Sequence, residues 1–157
     1  MSYARHFEHT GELSDISKAI SLQQNAIDLT PVGHADMQGR LSNLGMSYAR
    51  RFEHTGDLSD ISKAISLQQK AIDLIPAAHH DMARQLSDLA AVFSRRFERT
   101  GNLTDIRSAI STYRLAATYS SGPLSIRLEA ARNWIKWSQK FDSSQSLGAY
   151  EIGRAHV

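Results

Sequence analysis

The chain has 157 residues, with 18 Lys and Arg, 16 Asp and Glu, 7 His and no Cys. Hydrophobic residues make up 41% and charged residues 22%, which is typical of a globular protein and argues against a disordered chain. The lack of Cys excludes a disulfide scaffold, a Cys-ligated metal site and a thiol nucleophile within these residues. No apolar run approaches the roughly 20 residues that span a bilayer, and the N-terminus lacks the apolar stretch of a secretory signal. We therefore expect a soluble, cytoplasmic protein with no membrane contact.

A repeat of 45 residues organises the chain. The segments 1–45 and 46–90 are identical at 33 of 45 positions, and a more diverged copy begins at residue 91. A fixed period of this length is the signature of stacked structural units. It predicts a partial unit at 1–35, a full unit at 36–80 and a diverged unit at 81–123. Capping helices at 124–150 and a doubtful tail at 151–157 are expected to follow.

The first helix of a unit is predicted from an apolar stripe with helical spacing. Gly56 follows this helix at the place where a helix C-terminus needs a residue that tolerates positive φ, and Gly11 and Gly101 recur in the same position. We expect the partial unit 1–35 to hold the end of a first helix and a whole second helix. The stripe consists of Met37, Leu41, Leu44, Gly45, Tyr48 and Phe52.

The second helix is predicted to begin at Ser59, as at Ser14 and Thr104, because these hydroxyls can cap a helix N-terminus. Asp60 and its equivalents Asp15 and Asp105 follow at the end of the helix dipole that favours negative charge. Pro31 and Pro76 stop the helix, since proline cannot continue its hydrogen bonds. The predicted buried stripe consists of Ile61, Ala64, Ile65, Gln68, Ala71, Ile72 and Ile75.

These patterns predict an all-α fold, because no stretch shows the alternation of a strand. One helical hairpin cannot bury both of its faces, so we expect a solenoid of about three and a half hairpins stacked into a right-handed superhelix. Gly45, Ala64 and Ala71 are small enough to let the helices approach closely. The tail EIGRAHV breaks the helical pattern and resembles the translation of a sequencing-adapter sequence, so we expect residues 151–157 to be foreign to the protein.

Three features offer binding chemistry. Residues 82–140 carry a net charge of +6, and basic residues adjoin Phe52 and Phe97, as nucleic-acid binding would require. We expect these rings to be core residues, like Trp134 and Trp137 on the capping helix, which argues against nucleic acid.

The second feature is His79-His80-Asp81, with His34 and Asp36 in the preceding unit, which has the residue types of a metal site. The spacing matches no compact metal motif, so we expect Asp36 and Asp81 to cap helices and expect no metal or cofactor. The third is the recurrence of acids and histidines once per unit, far apart, which predicts a structural role and no catalysis. These are Glu8, Glu53 and Glu98 with His9 and His54.

The order Leu44-Gly45-x-x-Tyr48, followed by Ala64, Ala71 and Pro76, resembles the tetratricopeptide repeat. The departure is the period of 45 residues in place of the usual length of about 34. HEAT and armadillo units suit the period but match the proline and helix pattern less well. The resemblance implies a concave groove, lined by the first helices, that binds a protein or peptide or a downstream domain of the same chain. The groove positions it implies are Asn43, Met46, Arg50, Arg84, Asp88 and Arg95.

More narrowly, the segments LSNLG and RRFERTGNLTDIRSAIS resemble the long repeats of large fungal proteins in which such arrays precede a caspase-like CHAT domain. The first interpretation is a non-catalytic scaffold for protein interactions, cut from a larger multidomain protein. The alternative is that these repeats sense a signal for, or regulate, a CHAT-type protease or signalling effector whose catalytic domain lies downstream. A CHAT catalytic dyad needs His and Cys, so this segment itself is expected to have no such activity.

Overall fold

The computed structural model describes the backbone of residues 2–156 and the side chains of residues 11–141. Within this part of the chain the protein is all-helical and contains no strand. Each helix packs against the next one in sequence, and α4 also contacts α6. The six helices are α1 (Ser2–Asp28), α2 (Met37–Thr55), α3 (Leu58–Asp73), α4 (Met82–Thr100), α5 (Leu103–Thr118) and α6 (Leu124–His156).

The N-terminal segment differs from the expected partial hairpin, because α1 is one continuous helix that passes through Gly11. Glu12 follows Gly11, whereas Asp57 and Asn102 follow the equivalent glycines, and glutamate is not among the residues that cap a helix N-terminus well. A helix that continues through this point keeps its backbone hydrogen bonds, whereas a turn would leave several unmade. Ser14 therefore lies inside α1 and caps nothing.

The turns α2–α3 and α4–α5 share one geometry. Gly56 and Gly101 have φ of 70° and 72°, and each donates its N–H to the carbonyl of Phe52 or Phe97 at 2.7 Å. A left-handed residue at this point is the common end of a helix, and glycine adopts it without strain. The prediction for Gly56 and its equivalent Gly101 is thus confirmed.

The predicted caps of the second helices are wrong by two residues. Asp57 and Asn102 hold the N-cap positions, and their side chains accept hydrogen bonds from the backbone N–H of Ser59 and Thr104 at 2.9 Å. Carboxylate and amide oxygens cap a helix at least as well as a hydroxyl. The serine and threonine therefore lie in the first turn of α3 and α5, where their own hydroxyls are exposed.

The other predicted caps, Asp36 and Asp81, occupy N-cap positions at α2 and α4 but make no side-chain capping bond. Both have helical backbone angles, with ψ of −9° and −12°, whereas capping side chains usually come from residues with extended backbone. Their backbone N–H groups instead donate to Nδ1 of His34 and His79 at 3.0 and 3.1 Å.

The apolar stripes predicted for the first and second helices of the unit are buried or half-buried, as the hydrophobic effect requires. Ile75 is buried but follows the end of α3. Leu44 and Ile61 are completely buried, and Val92 of α4 packs with Phe52 of α2 and with Ile61 of α3. Gly45 lies close to α3, since a Cβ added to it would meet Ala64 O at 3.3 Å. Small residues thus bring α2 and α3 together, and the core continues from one helical pair into the next.

Two buried acidic residues have a role that the helix-dipole argument missed. Asp60 and Asp105 are each only 3% exposed. Asp60 accepts two hydrogen bonds from Arg51, at 3.0 and 2.8 Å, and Asp105 accepts the same pair from Arg96 at 2.9 and 2.7 Å. The guanidinium of Arg51 also donates a hydrogen bond to the Ser17 hydroxyl of α1 at 3.4 Å. These fork-shaped pairs connect a first helix to its own second helix and to the helix before it.

The backbone of α6 remains helical to His156, so the break expected at residues 151–157 is not observed. The side chains of this tail lie outside the described residues, and its foreign origin stays a prediction.

Replacement of Ala71 with leucine tests the close packing of α3. Ala71 is completely buried, so three additional carbon atoms must displace neighbouring side chains. Overpacking of this kind is expected to lower the free energy of unfolding by about 1–3 kcal/mol, measured by urea denaturation. The neighbouring exposed position provides the control, since Lys70→Leu adds apolar bulk without entering the core. An Ala71→Leu protein as stable as Lys70→Leu would contradict tight packing at α3.

Candidate functional site

The six residues assigned to the groove lie on two equivalent helices. Asn43, Met46 and Arg50 are exposed on α2, and their spacings of three and four residues place them on one side of that helix. On α4, Arg84 and Arg95 are exposed and Asp88 is half-buried between them along the helix. Met46 is 48% exposed, which leaves a flexible apolar side chain on an otherwise polar surface.

The two arginines expected to meet a partner already have acidic neighbours in the protein. Arg50 Nη2 lies 3.8 Å from Glu12 Oε1 of α1, and Arg95 Nε lies 3.1 Å from Glu53 Oε1 of α2. Both pairs are largely exposed to solvent. Exposed pairs of this kind contribute about 0–1 kcal/mol, so a partner carboxylate can displace either of them.

Arg50 and Arg95 lie in two separate clefts. The cleft with Arg50 measures about 320 Å³ and is formed by α1 and α2, with Glu12 and Asp15 on its other side. The cleft with Arg95 measures about 390 Å³ and is formed by the last turns of α2 and α4. The first cleft thus combines one arginine with two acids of α1, and the second combines Arg95 and Arg99 with one acid each from α2 and α4.

Asp88 has a perturbed titration. Burial raises the pKa of the Asp88 carboxyl, while the charges of Arg84 and Arg95 act against this rise and Glu129 of α6 adds to it. The three α4 residues of the predicted groove are therefore electrostatically coupled. Burial also raises the pKa of Tyr113 on the facing helix α5, and a hydrogen bond with Ser94 opposes that shift.

The histidine cluster before α4 brings together one ligand atom each from His79, His80 and Asp81, all within 4.8 Å of one another. The two imidazole rings stack with centroids 4.3 Å apart. His79 Nδ1 accepts the backbone N–H of Asp81, so this nitrogen already takes part in the turn. Asp81 also lies 3.7 Å from His79 Nδ1 and 3.4 Å from His80 Nε2, and the absence of a metal at this cluster stays a prediction.

Among the recurring acids and histidines that the structure describes, Glu53 and Glu98 line the same cleft between α2 and α4. Glu53 pairs with Arg95, and His54 Nε2 lies 3.6 Å from Glu12 Oε1. The remaining members, Glu8 and His9, lie outside the described side chains.

The aromatic residues next to the paired arginines face the core. Phe52 is 3% exposed, and Phe97 is partly buried against the cluster that includes Trp137 of α6. Phe97 and Trp137 meet edge to face with ring centroids 6.0 Å apart. Trp134, by contrast, is half-buried and borders a cavity.

That cavity was missed by the sequence analysis. It lies between α5 and α6, measures about 260 Å³, and combines two arginines with two aromatic rings. The sequence held a signal for it, because Arg107 and Arg114 stand where the preceding unit has the uncharged residues Ser62 and Gln69. The lining residues are Arg107, Ile110, Ser111, Arg114, Trp134, Ser138 and Phe141.

No protein-family model, no curated protein and no solved structure matches this chain. Among the described residues, no helix is long and apolar enough to cross a membrane.

Proposed function

We propose that this chain is a non-catalytic scaffold for protein interactions, built from tetratricopeptide-like helical hairpins. The observation that carries the proposal is the exposed stripe of Asn43, Met46 and Arg50 on α2, with charged residues at the corresponding side of α4. A helix that buries one face and presents charged and flexible apolar side chains on the other suits the recognition of a peptide or a helix.

The repeated contacts favour a solenoid over a closed bundle. The pairs Arg51–Asp60 and Arg96–Asp105 are the same contact displaced by 45 residues, and so are the turns at Gly56 and Gly101. Arg96 reaches back to Ser62 at 3.4 Å just as Arg51 reaches back to Ser17. Since each unit contacts its neighbour through the same groups, further units can be added without a new kind of interface.

The charges of the exposed stripe indicate the partner's chemistry. Arg50 and Arg95 each have only a weak internal pair, and a guanidinium can form two parallel hydrogen bonds with a carboxylate. Because burial disfavours the charged form of Asp88, a basic side chain that approaches it gains from compensating that charge. A peptide with alternating acidic and basic residues is the partner that this stripe suits best.

The relationship to CHAT-containing proteins stays a prediction, as does the regulatory role that it implies. In that alternative the occupant of the stripe is a downstream domain of the same chain. Sequence that encodes a caspase-like domain after these repeats would favour the alternative.

Charge reversal at the two groove arginines tests the scaffold. A protein with Arg50→Glu and Arg95→Glu is expected to retain binding partners about tenfold less than the unchanged protein, because attraction for a carboxylate becomes repulsion. The measurement is a pull-down with quantitative mass spectrometry of the retained proteins.

The control is the pair Lys63→Glu and Lys70→Glu, which changes the net charge equally on the exposed side of α3. Thermal unfolding of both variants verifies that they fold. Equal retention of every partner by the groove variant and the control would exclude the stripe as the binding surface.

A further inference from the structure

The cavity between α5 and α6 lies where the diverged unit departs most from its predecessor. At the junction of α3 and α4, Arg96 donates to the Ser62 hydroxyl. At the same places 45 residues later stand Phe141 and Arg107, and the guanidinium carbon of Arg107 lies 5.7 Å from the centre of the Phe141 ring. The arginine of this contact thus stands on α5, at the position of Ser62, and an aromatic ring on α6 occupies the position of Arg96.

A second exchange alters the wall of the cavity. Ser138 stands where Tyr48 and Phe93 stand in the two preceding first helices, and Tyr48 packs into the core between α1 and α2. A hydroxymethyl group occupies much less volume than an aromatic ring. The space beside Ser138 is bordered by Trp134 and Phe141, which gives the cavity an aromatic wall.

The rim of the cavity is basic. Arg107 and Arg114 are both exposed, and none of the carboxylates that the structure describes forms a salt bridge with either of them. They also lie within residues 82–140, whose net charge is +6. Seven residues separate them on α5, which corresponds to roughly 10 Å along the helix.

We propose that this cavity binds an acidic peptide, whose apolar side chain enters between Trp134 and Phe141 while flanking carboxylates pair with Arg107 and Arg114. At about 260 Å³ the cavity is smaller than the usual site of a drug-sized ligand, which suits one side chain. In an extended peptide every second side chain lies on the same face, so a central apolar residue and carboxylates two residues to either side of it face the cavity together. At roughly 3.3 Å per residue these carboxylates stand roughly 13 Å apart along the backbone, a span that their flexible side chains and those of the arginines can adjust to the two guanidiniums. This site lies on α5 and α6, apart from the exposed stripe of α2 and α4, and does not depend on the function proposed for that stripe.

The probe is the blocked peptide acetyl-Glu-Ser-Phe-Ser-Glu-amide, in which both glutamates share one face with the phenylalanine, titrated into the isotopically labelled chain. The chain has two tryptophans, so its two indole N–H resonances can be followed by NMR, and Trp134→Phe assigns them. We expect a saturable shift of the Trp134 resonance. Peptides with alanine in place of phenylalanine, or lysine in place of both glutamates, are expected to bind about tenfold more weakly.

Variants of the chain separate this site from general attraction of acids to a basic surface. Removal of both guanidiniums by Arg107→Ala and Arg114→Ala is expected to raise the dissociation constant of the peptide about tenfold or more. The matched control, Arg132→Ala and Lys136→Ala, removes the same charge from side chains of α6 that do not line the cavity, and is expected to change it less than about twofold. An equal loss in both double variants would overturn the proposal.

One further variant and one further ligand test whether a peptide occupies the cavity. Ser138→Phe keeps both arginines and fills the cavity with the ring found in α4, so it is expected to abolish the Trp134 shift in a chain whose thermal unfolding shows that it is folded. Inorganic phosphate is expected to shift the Trp134 resonance far less than the peptide does. Undiminished peptide binding by Ser138→Phe, or an equal response to phosphate, would contradict a peptide site.

Discussion

Arg51→Met is expected to lower the free energy of unfolding by about 3 kcal/mol, because it leaves the carboxylate of Asp60 buried without its partner. The Asp60 side chain is 4% exposed and accepts both of its short hydrogen bonds from this guanidinium. The hydrogen bonds with Asp60 also raise the pKa of Arg51, against the opposing effect of burial. The measurement is urea denaturation followed by far-ultraviolet circular dichroism.

The adjacent arginine provides a matched control. Arg50→Met removes the same group from a side chain that is 61% exposed and is expected to change the stability by less than about 1 kcal/mol. Asp60→Ala is expected to cost less than Arg51→Met, because the Arg51 side chain is 25% exposed and can still reach water. Equal stabilities for Arg50→Met and Arg51→Met would show that the buried pair contributes nothing beyond a surface contact.

The helical content and the apolar stripes were predictable because they depend on periodicity, which is read directly from the sequence. The glycine turns were predictable for a similar reason, since few residues other than glycine adopt positive φ. The continuous α1 was not predicted, because the near identity of the repeat hid one exchange: Glu12 follows Gly11, whereas the capping residues Asp57 and Asn102 follow Gly56 and Gly101. Glutamate is not among the residues that cap a helix N-terminus well, so the turn loses its capping side chain at this one place.

The candidate site likewise has features that the sequence predicts and features that only the packing of helices reveals. The exposure of Arg50 followed from helical register, but the burial of Asp60 did not, because an acid in the first turn of a helix is ordinarily explained by the dipole. Only the approach of Arg51 across the turn reveals the pair. The cavity between α5 and α6 depends on two helices whose meeting cannot be read from either one alone. The exchanges at Arg107 and Ser138 are visible in the repeat, yet their joint effect requires the structure.

The buried glutamine of α3 carries the second large expected effect. Gln68 is completely buried, and its Nε2 donates to the Ser42 carbonyl of α2 at 3.2 Å while its Oε1 accepts a hydrogen bond from Gln85 of α4. Gln68→Ala is expected to lower the free energy of unfolding by about 3 kcal/mol, since it creates a cavity and leaves buried polar groups unsatisfied.

Urea denaturation of Gln68→Ala beside Gln69→Ala measures this effect. Gln69 is the exposed neighbour, whose Nε2 donates to Asp73 at 3.2 Å, and its replacement is expected to change stability by less than about 0.5 kcal/mol. The double variant Gln68→Leu with Gln85→Leu is expected to lose less than the sum of its single changes, because no buried amide then lacks its partner. The fold does not require an amide pair at this junction, since Tyr113 and Ala130 stand at the positions of Gln68 and Gln85 in the following unit and are themselves buried.

Strictly additive losses would mean that the two amides do not depend on each other, and that α3 and α4 are held together by apolar packing alone.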